Sequence, residues 1–217
     1  MKLGARLSGA LLLSLLCAVA FGWLAYMVGR DAIHSFDLAI IHVIQGWEKP
    51  ELTRFMEALA VIGSTRPVML ISVTAMLLLG LLLRHRKELI LFVFAAGGSA
   101  LLNVALKNAF VRERPTIYRI VEESGYSFPS GHAMAAFSLY GILAYLLWKH
   151  IPAKWGRVLL LAVTTLIICT MGISRIYLGV HYPSDIIGGI LASGFWLAVC
   201  IGIYTHYTTR RPAKRYS

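Results

Sequence analysis

The sequence predicts an all-α polytopic membrane protein: a bundle of six spanning helices, with short amphipathic helices between the first and the second. Three observations carry this. The 217 residues are 58% hydrophobic and only 14% charged, whereas soluble globular domains carry about 25% charged residues. The apolar residues gather in six runs that approach or exceed the ~18 residues of a spanning helix. The net charge of +11 is distributed as membrane topology requires, which removes the case for nucleic-acid binding that so basic a chain would otherwise make.

The first run covers residues 7–28, behind Lys2 and Arg6. A basic start and Ala18-Val19-Ala20 suit a cleaved signal peptide, but the run continues through Phe21, Trp23, Leu24 and Tyr26, which favours an uncleaved spanning helix. Over residues 31–62 the pattern changes. Ile33, Phe36, Ile40, Ile44 and Trp47 recur near the helical period with His34, Asp37 and Gln45 among the polar positions between them. After Lys49-Pro50 a second short set follows, Leu52, Phe55, Met56, Leu59 and Ile62. Both are too interrupted by charge to span, and are expected as amphipathic helices at the interface. Gly63 stops the second, and Ser64 or Thr65 caps the next helix, with Pro67 in its first turn. The remaining spans are expected over 67–83, 89–106, 130–148, 158–174 and 183–207. Residues 107–129 are polar and loop-like, and the tail from Arg210 is basic. No internal repeat is present, so the chain is expected to be one membrane domain over 1–217, with its chemistry between 107 and 185.

Orientation follows from Lys and Arg. One side holds Lys2, Arg6, Arg84, Arg86, Lys87, Lys149, Lys154, Arg157, Arg210, Arg211, Lys214 and Arg215, with Glu88 as its one acid. The other holds nine cations and nine acids, so the whole excess lies on the first side. Both termini are therefore expected in the cytoplasm. Lys107, Arg114, the Pro129–His132 stretch and the stretch from Arg175 to Asp185 then fall on one outer face.

Three stretches carry chemistry. Lys107 and Arg114 lie where a helix ends at Pro115; they suit an anion, or headgroup contact by snorkelling. Pro129-Ser130-Gly131-His132 opens the fourth span, and its backbone N–H groups and hydroxyl suit an anion, or a plain helix cap. Arg175, His181 and Asp185 join the last two spans. A carboxylate bound to one imidazole nitrogen fixes the tautomer and leaves the other as base or nucleophile. Other polar residues look bland: His34, His42 and His206 lack partners, and Arg112, Arg119, Glu122 and Glu123 suit a solvated loop surface. Cys17, Cys169 and Cys200 show no ligand or disulfide spacing, and Trp23, Trp47, Trp148 and Trp155 fit interfacial belts.

In order, Lys-x6-Arg-Pro, Pro-Ser-Gly-His and Ser-Arg-x5-His-x3-Asp closely resemble the motifs of the type 2 phosphatidic acid phosphatase superfamily, over about a third of the chain. The resemblance implies that His181 attacks phosphorus and becomes phosphohistidine, that Asp185 orients His181, and that His132 protonates the leaving oxygen and then activates water. It implies that Lys107, Arg114, Ser130, Gly131 and Arg175 hold the phosphoryl oxygens, with no metal and no cofactor. The expected activity is hydrolysis of membrane lipid phosphates: phosphatidylglycerol phosphate, phosphatidic acid or undecaprenyl diphosphate. A phosphotransferase with the same site is the alternative, and a lipid transporter a further one, against which the missing inverted repeat speaks. The expected partners are the lipid substrate and the bilayer, with no nucleic acid. The compact chain looks bacterial, in the inner membrane with its site at the periplasmic face.

Overall fold

In the computed structural model, the structure describes residues 2–83 and 86–209, with side chains over 7–81 and 87–208. Among these residues there are eight helices and no strand: α1 (Lys2–Gly29), α2 (His34–Gln45), α3 (Pro50–Ile62), α4 (Thr65–Leu83), α5 (Arg86–Phe110), α6 (Gly131–Trp148), α7 (Lys154–Tyr177) and α8 (Pro183–Thr209). Of the cations assigned to the inner side, Lys2, Arg6, Arg84, Arg86, Arg210, Arg211, Lys214 and Arg215 have side chains outside the described residues.

Five helices (α1, α5, α6, α7 and α8) are long and apolar enough to cross a membrane. A sixth span results if α3 and α4 count as one broken span, bent by 59° at the short break between them. The break falls at the Gly63 stop expected from the sequence. Ser64 does not cap α4 through its side chain; its hydroxyl turns back to the Val61 carbonyl at 2.7 Å. Helices α5 and α7 begin a few residues before the apolar runs do, at Arg86 and Lys154. Hydropathy marks where apolar side chains start, whereas the helical backbone continues into the polar boundary.

Helix α8 packs along α1, α5 and α6, and α6 also packs against α7. The two central helices are therefore α6 and α8. Small residues bring them close: a Cβ at Gly189 would stand 2.9 Å from the Ser130 carbonyl oxygen, and Ser193 donates to the Met134 carbonyl. Lipid-like faces remain on the periphery, where Leu11, Leu70, Phe94, Leu101 and Leu166 are exposed. At the opposite end from the three motifs, Glu88 is buried against Lys149 and Tyr204.

Helices α2 and α3 pack on α7. Ile41, Ile44 and Met56 join the core formed by Ile176, Tyr177, Leu178 and Val180. The Gln45 amide donates to the carbonyls of Tyr118 and Tyr177, and the Tyr177 phenol meets the Thr53 hydroxyl at 2.7 Å. These two helices thus cover the turn that leads from α7 into α8.

Candidate active site

That turn is set by one backbone position. Gly179 has φ +75°, and a Cβ there would come within 1.9 Å of the Tyr118 carbonyl oxygen. Only glycine meets both conditions without displacement. The close approach lets Ile120 donate its N–H to the Leu178 carbonyl at 3.0 Å, which fastens the loop after α5 onto the turn. His181 follows two residues later and is fully buried.

Asp185, in the first turn of α8, is also fully buried. A carboxylate there is tolerable only when its oxygens are satisfied. Oδ2 accepts from the Tyr182 N–H at 2.8 Å, from His181 Nδ1 at 3.3 Å and from the Ser127 hydroxyl. Oδ1 accepts from Arg112 Nη1 at 2.7 Å. The bond to Asp185 puts the imidazole proton on Nδ1, so Nε2 carries the lone pair and accepts from Arg114 Nη1 at 3.2 Å. Burial pushes the His181 imidazole down to about 4, although Asp185 pulls it the other way.

Arg114 is buried and spends most of its donors on the chain. Nε donates to the Gly125 carbonyl at 2.9 Å, and Nη1 donates to the Val180 carbonyl at 2.9 Å. Nη2 donates to the Glu123 carboxylate at 3.1 Å and to the Ser124 carbonyl at 3.2 Å. Burial lowers its ordinary value, but a guanidinium starts so high that it keeps its charge. Arg175, at the end of α7, pairs through Nη2 with the other oxygen of Glu123. Its buried Nε has no hydrogen-bond partner. Glu123 therefore seats its carboxylate across two buried guanidinium groups, one of which touches His181.

Glu123 also lines a cleft of about 560 Å³, together with Lys107, Gly131 and His132. The Lys107 carbonyl accepts from the Val111 N–H at 3.0 Å, while its ammonium makes no hydrogen bond or ion pair among the described residues. The cleft runs down between α4, α5 and α6 to Phe92 and Leu139. Met69, Val73, Val93 and Val104 line it and are exposed on the bundle's flank, so its side wall is apolar and open. His132 Nε2 lies 3.2 Å from the Ala60 carbonyl near the end of α3, an arrangement that places a proton on that nitrogen. Ser130 is the N-cap of α6: its hydroxyl accepts from the Ala133 N–H at 3.4 Å, and its own N–H donates to the Asp185 carbonyl at 3.0 Å. Two cleft or cap contacts thus tie α6 to α3 and to α8.

The structure brings Arg114, Arg175, His181, Asp185 and Ser130 into one connected cluster, and sets Lys107, Gly131 and His132 around the adjoining cleft. It corrects the expectation for two loop residues. Arg112 and Glu123 are not a solvated surface: Arg112 is 13% exposed and bridges Asp185 to Asp37, and Glu123 pairs with both Arg114 and Arg175. Asp37 is likewise not an outward polar position of an amphipathic helix. It is fully buried and accepts from Ser184 and Arg112. Glu122 does face solvent, at 88% exposure. Arg119, by contrast, donates to the carbonyls of Pro115 and Arg114. Among the described residues no three His, Cys, Asp or Glu side chains converge as a metal site.

Residues 88–209 match the family model described as the PAP2 superfamily. Phosphatidylglycerophosphatase B of Bacillus subtilis is 33% identical over 170 residues, which cover 76% of this chain and 82% of that protein. A lipid A 1-phosphatase of Rhizobium johnstonii is 32% identical over 115 residues, covering 48% and 43% respectively. The crystal structure of a transmembrane PAP2 type phosphatidylglycerolphosphate phosphatase from Bacillus subtilis superposes with a TM-score of 0.79 at 29% identity, over 94% of this chain and 99% of that one. A family model that takes in α6, α7, α8 and most of α5, and a solved fold that matches nearly end to end, lead to one conclusion: this chain belongs to the PAP2 superfamily.

Proposed function

We propose that the chain is an integral membrane phosphatase of lipid phosphates, acting through a phosphohistidine at His181 and needing no metal. One observation carries this: the Glu123 carboxylate sits on Arg114 and Arg175 beside the lone-pair nitrogen of His181. A seat that holds a carboxylate between buried guanidinium groups suits the oxygens of a phosphoryl group. Arg175 Nε, buried without a partner, is a further donor for such an anion, and Lys107 in the cleft adds a third cation.

In the proposed reaction the substrate phosphate displaces Glu123 and is held by Lys107, Arg114 and Arg175, with the Ser130 hydroxyl and the backbone N–H of Gly131. His181 Nε2 attacks phosphorus, and a P–N bond forms as the bond to the leaving oxygen breaks. His132 gives that oxygen its proton. Asp185 holds the Nδ1–H and offsets the positive charge that the imidazole acquires. Water then attacks phosphorus, His132 takes a proton from it, and the P–N bond breaks to release phosphate. Three fixed cations supply the positive charge that a metal supplies in other phosphoryl-transfer sites.

The apolar flank of the cleft suits acyl chains that stay in the bilayer while the phosphate enters from the side. We read the chain as one domain over 1–217 with six spans, counting α4 as a span and placing α2 and α3 at the interface. By the charge distribution its site faces outward in a bacterial inner membrane and both termini are cytoplasmic. The relatives named for phosphatidylglycerophosphate favour phosphatidylglycerol phosphate as substrate, ahead of phosphatidic acid and undecaprenyl diphosphate. The test is phosphate release by purified protein from these three lipids, with and without a chelator. Release should be fastest from phosphatidylglycerol phosphate and unaffected by chelation. Failure to release phosphate from any of them would overturn the activity, and a strict need for added magnesium would overturn the metal-free mechanism.

A further inference from the structure

The buried charges do not stop at Asp185. Asp37, from α2, is fully buried. It accepts from the Ser184 N–H at 2.9 Å, from the Ser184 hydroxyl at 2.6 Å and from Arg112 Nη2 at 2.8 Å. Arg112 comes from the segment after α5. Its Nη1 donates to Ser184 Oγ and to Asp185 Oδ1, both at 2.7 Å, and its guanidinium lies 4.0 Å from the centre of the Tyr182 ring. Three parts of the chain, distant in sequence, thus meet on one guanidinium. None of its contacts is with Lys107, Arg114, Arg175 or Glu123, so it lies apart from the phosphate seat.

Two consequences follow. The first is geometric: Oδ1 of Asp185 is held by Arg112, so the carboxylate cannot turn, and Oδ2 stays on His181 Nδ1. The second is electrostatic. Asp37, Arg112 and Asp185 together present one net negative charge to His181. An imidazole that gains one positive charge on phosphorylation needs that amount. Without Arg112 the cluster would hold two negative charges, and without the charge of Asp37 it would hold none.

We propose that Arg112 and Asp37 are a positioning pair for Asp185 and His181, which fixes the rotation of the Asp185 carboxylate and sets the net charge behind the nucleophile. This rests on the assignment of His181 as the nucleophile. The charged or titratable groups around His181 are Asp185 at the start of α8, Arg114 after α5, Arg175 on α7 with Glu123 between the two guanidinium groups, Lys107 at the end of α5, and Tyr182. Arg112 and Asp37 stand behind Asp185, and only these two are altered in the test.

The experiment uses the full chain in detergent, as Arg112→Gln and as Asp37→Asn. Phosphate release from phosphatidylglycerol phosphate is followed across pH, and the His181 midpoint is followed by NMR of ¹⁵N-histidine-labelled protein, with the resonance assigned through His181→Gln. Both variants should lose kcat, on the order of 10²-fold as for a displaced reacting group, with KM nearly unchanged. The His181 midpoint should rise in Arg112→Gln, where a cation is removed, and fall in Asp37→Asn, where an anion is removed. Loss of packing alone would not move it in opposite directions. Midpoints that stay put or move together would overturn the proposal, as would a raised KM at unchanged kcat in Arg112→Gln, which would make Arg112 a phosphate ligand. If Arg112→Gln does not fold, the direction of the Asp37→Asn shift decides. If the wild type releases no phosphate, the functional assignment fails, and the two midpoints still report whether the pair sets the charge behind His181.

Discussion

Replacing Glu123 with glutamine should make the protein bind inorganic phosphate more tightly. The carboxylate lies 3.1 Å from Arg114 Nη2 and also contacts Arg175 Nη2, and the two arginines are only 3% and 4% exposed. Hydrogen bonds to charged groups contribute ~1.5–3 kcal/mol each. Glu123 itself is 26% exposed, so water screens part of this, and a total of about 1.5–3 kcal/mol is reasonable. Phosphate must displace that interaction to enter the seat. Glutamine keeps the shape and removes the charge, so phosphate affinity should rise roughly 10- to 100-fold, at about 1.4 kcal/mol per factor of ten. The same change leaves two buried guanidinium groups without their counter-charge. The phosphate-free variant should therefore be less stable, by up to about 3 kcal/mol, and saturating phosphate should restore it. Thermal unfolding against phosphate concentration, together with product inhibition of turnover, measures both effects. An affinity that is unchanged or weaker in Glu123→Gln would refute competition at this seat and leave Glu123 as an organiser of the 116–127 loop.

Three further outcomes follow. With its imidazole held down at about 4, His181 should stay neutral well below the ordinary value of about 6.5, so the acid limb of kcat/KM due to the nucleophile should lie near pH 4. Because the unfolded chain binds this proton first, stability should be lost as pH falls from about 6.5 through 4, and thermal unfolding of His181→Asn should lack that component. Gly179→Ala should destabilise by about 2–5 kcal/mol, from the left-handed backbone and the clash with the Tyr118 carbonyl; an unchanged Tm would contradict the role given to that turn. In intact cells, with Cys17, Cys169 and Cys200 replaced, Glu122→Cys should react with an impermeant thiol reagent and His150→Cys should not, and the reverse pattern would put the site in the cytoplasm.

The helical architecture was legible because spanning helices announce themselves by composition, and the bilayer allows few alternatives. The contact between His181 and Asp185 was legible because ionisable residues four apart at a span boundary can meet across the bend that opens the next helix. Arg112, Glu123 and Asp37 were not. In sequence they sit among other charges in polar stretches, where solvation is the ordinary fate of such side chains. What buries them is the return of the loop onto the turn at Gly179 and the docking of α2 on α7 and α8. Both depend on contacts between residues far apart in the chain, such as Asp37 with Ser184. The status of α3 was hidden for a related reason. Its charged positions argue for an interfacial helix, yet its apolar face and the 59° bend into α4 also fit a broken span.

The central claim is that His181 takes the phosphoryl group. The most direct test is to mix a lipid phosphate labelled with ³²P in its terminal phosphate with the unaltered protein and to quench with alkali within the first turnover, under which phosphohistidine survives. The account predicts acid-labile label on the protein, recovered on the peptide that carries His181 and absent when His181 is replaced by alanine. Label on another residue, or phosphate release by His181→Ala at close to the unaltered rate, would contradict it.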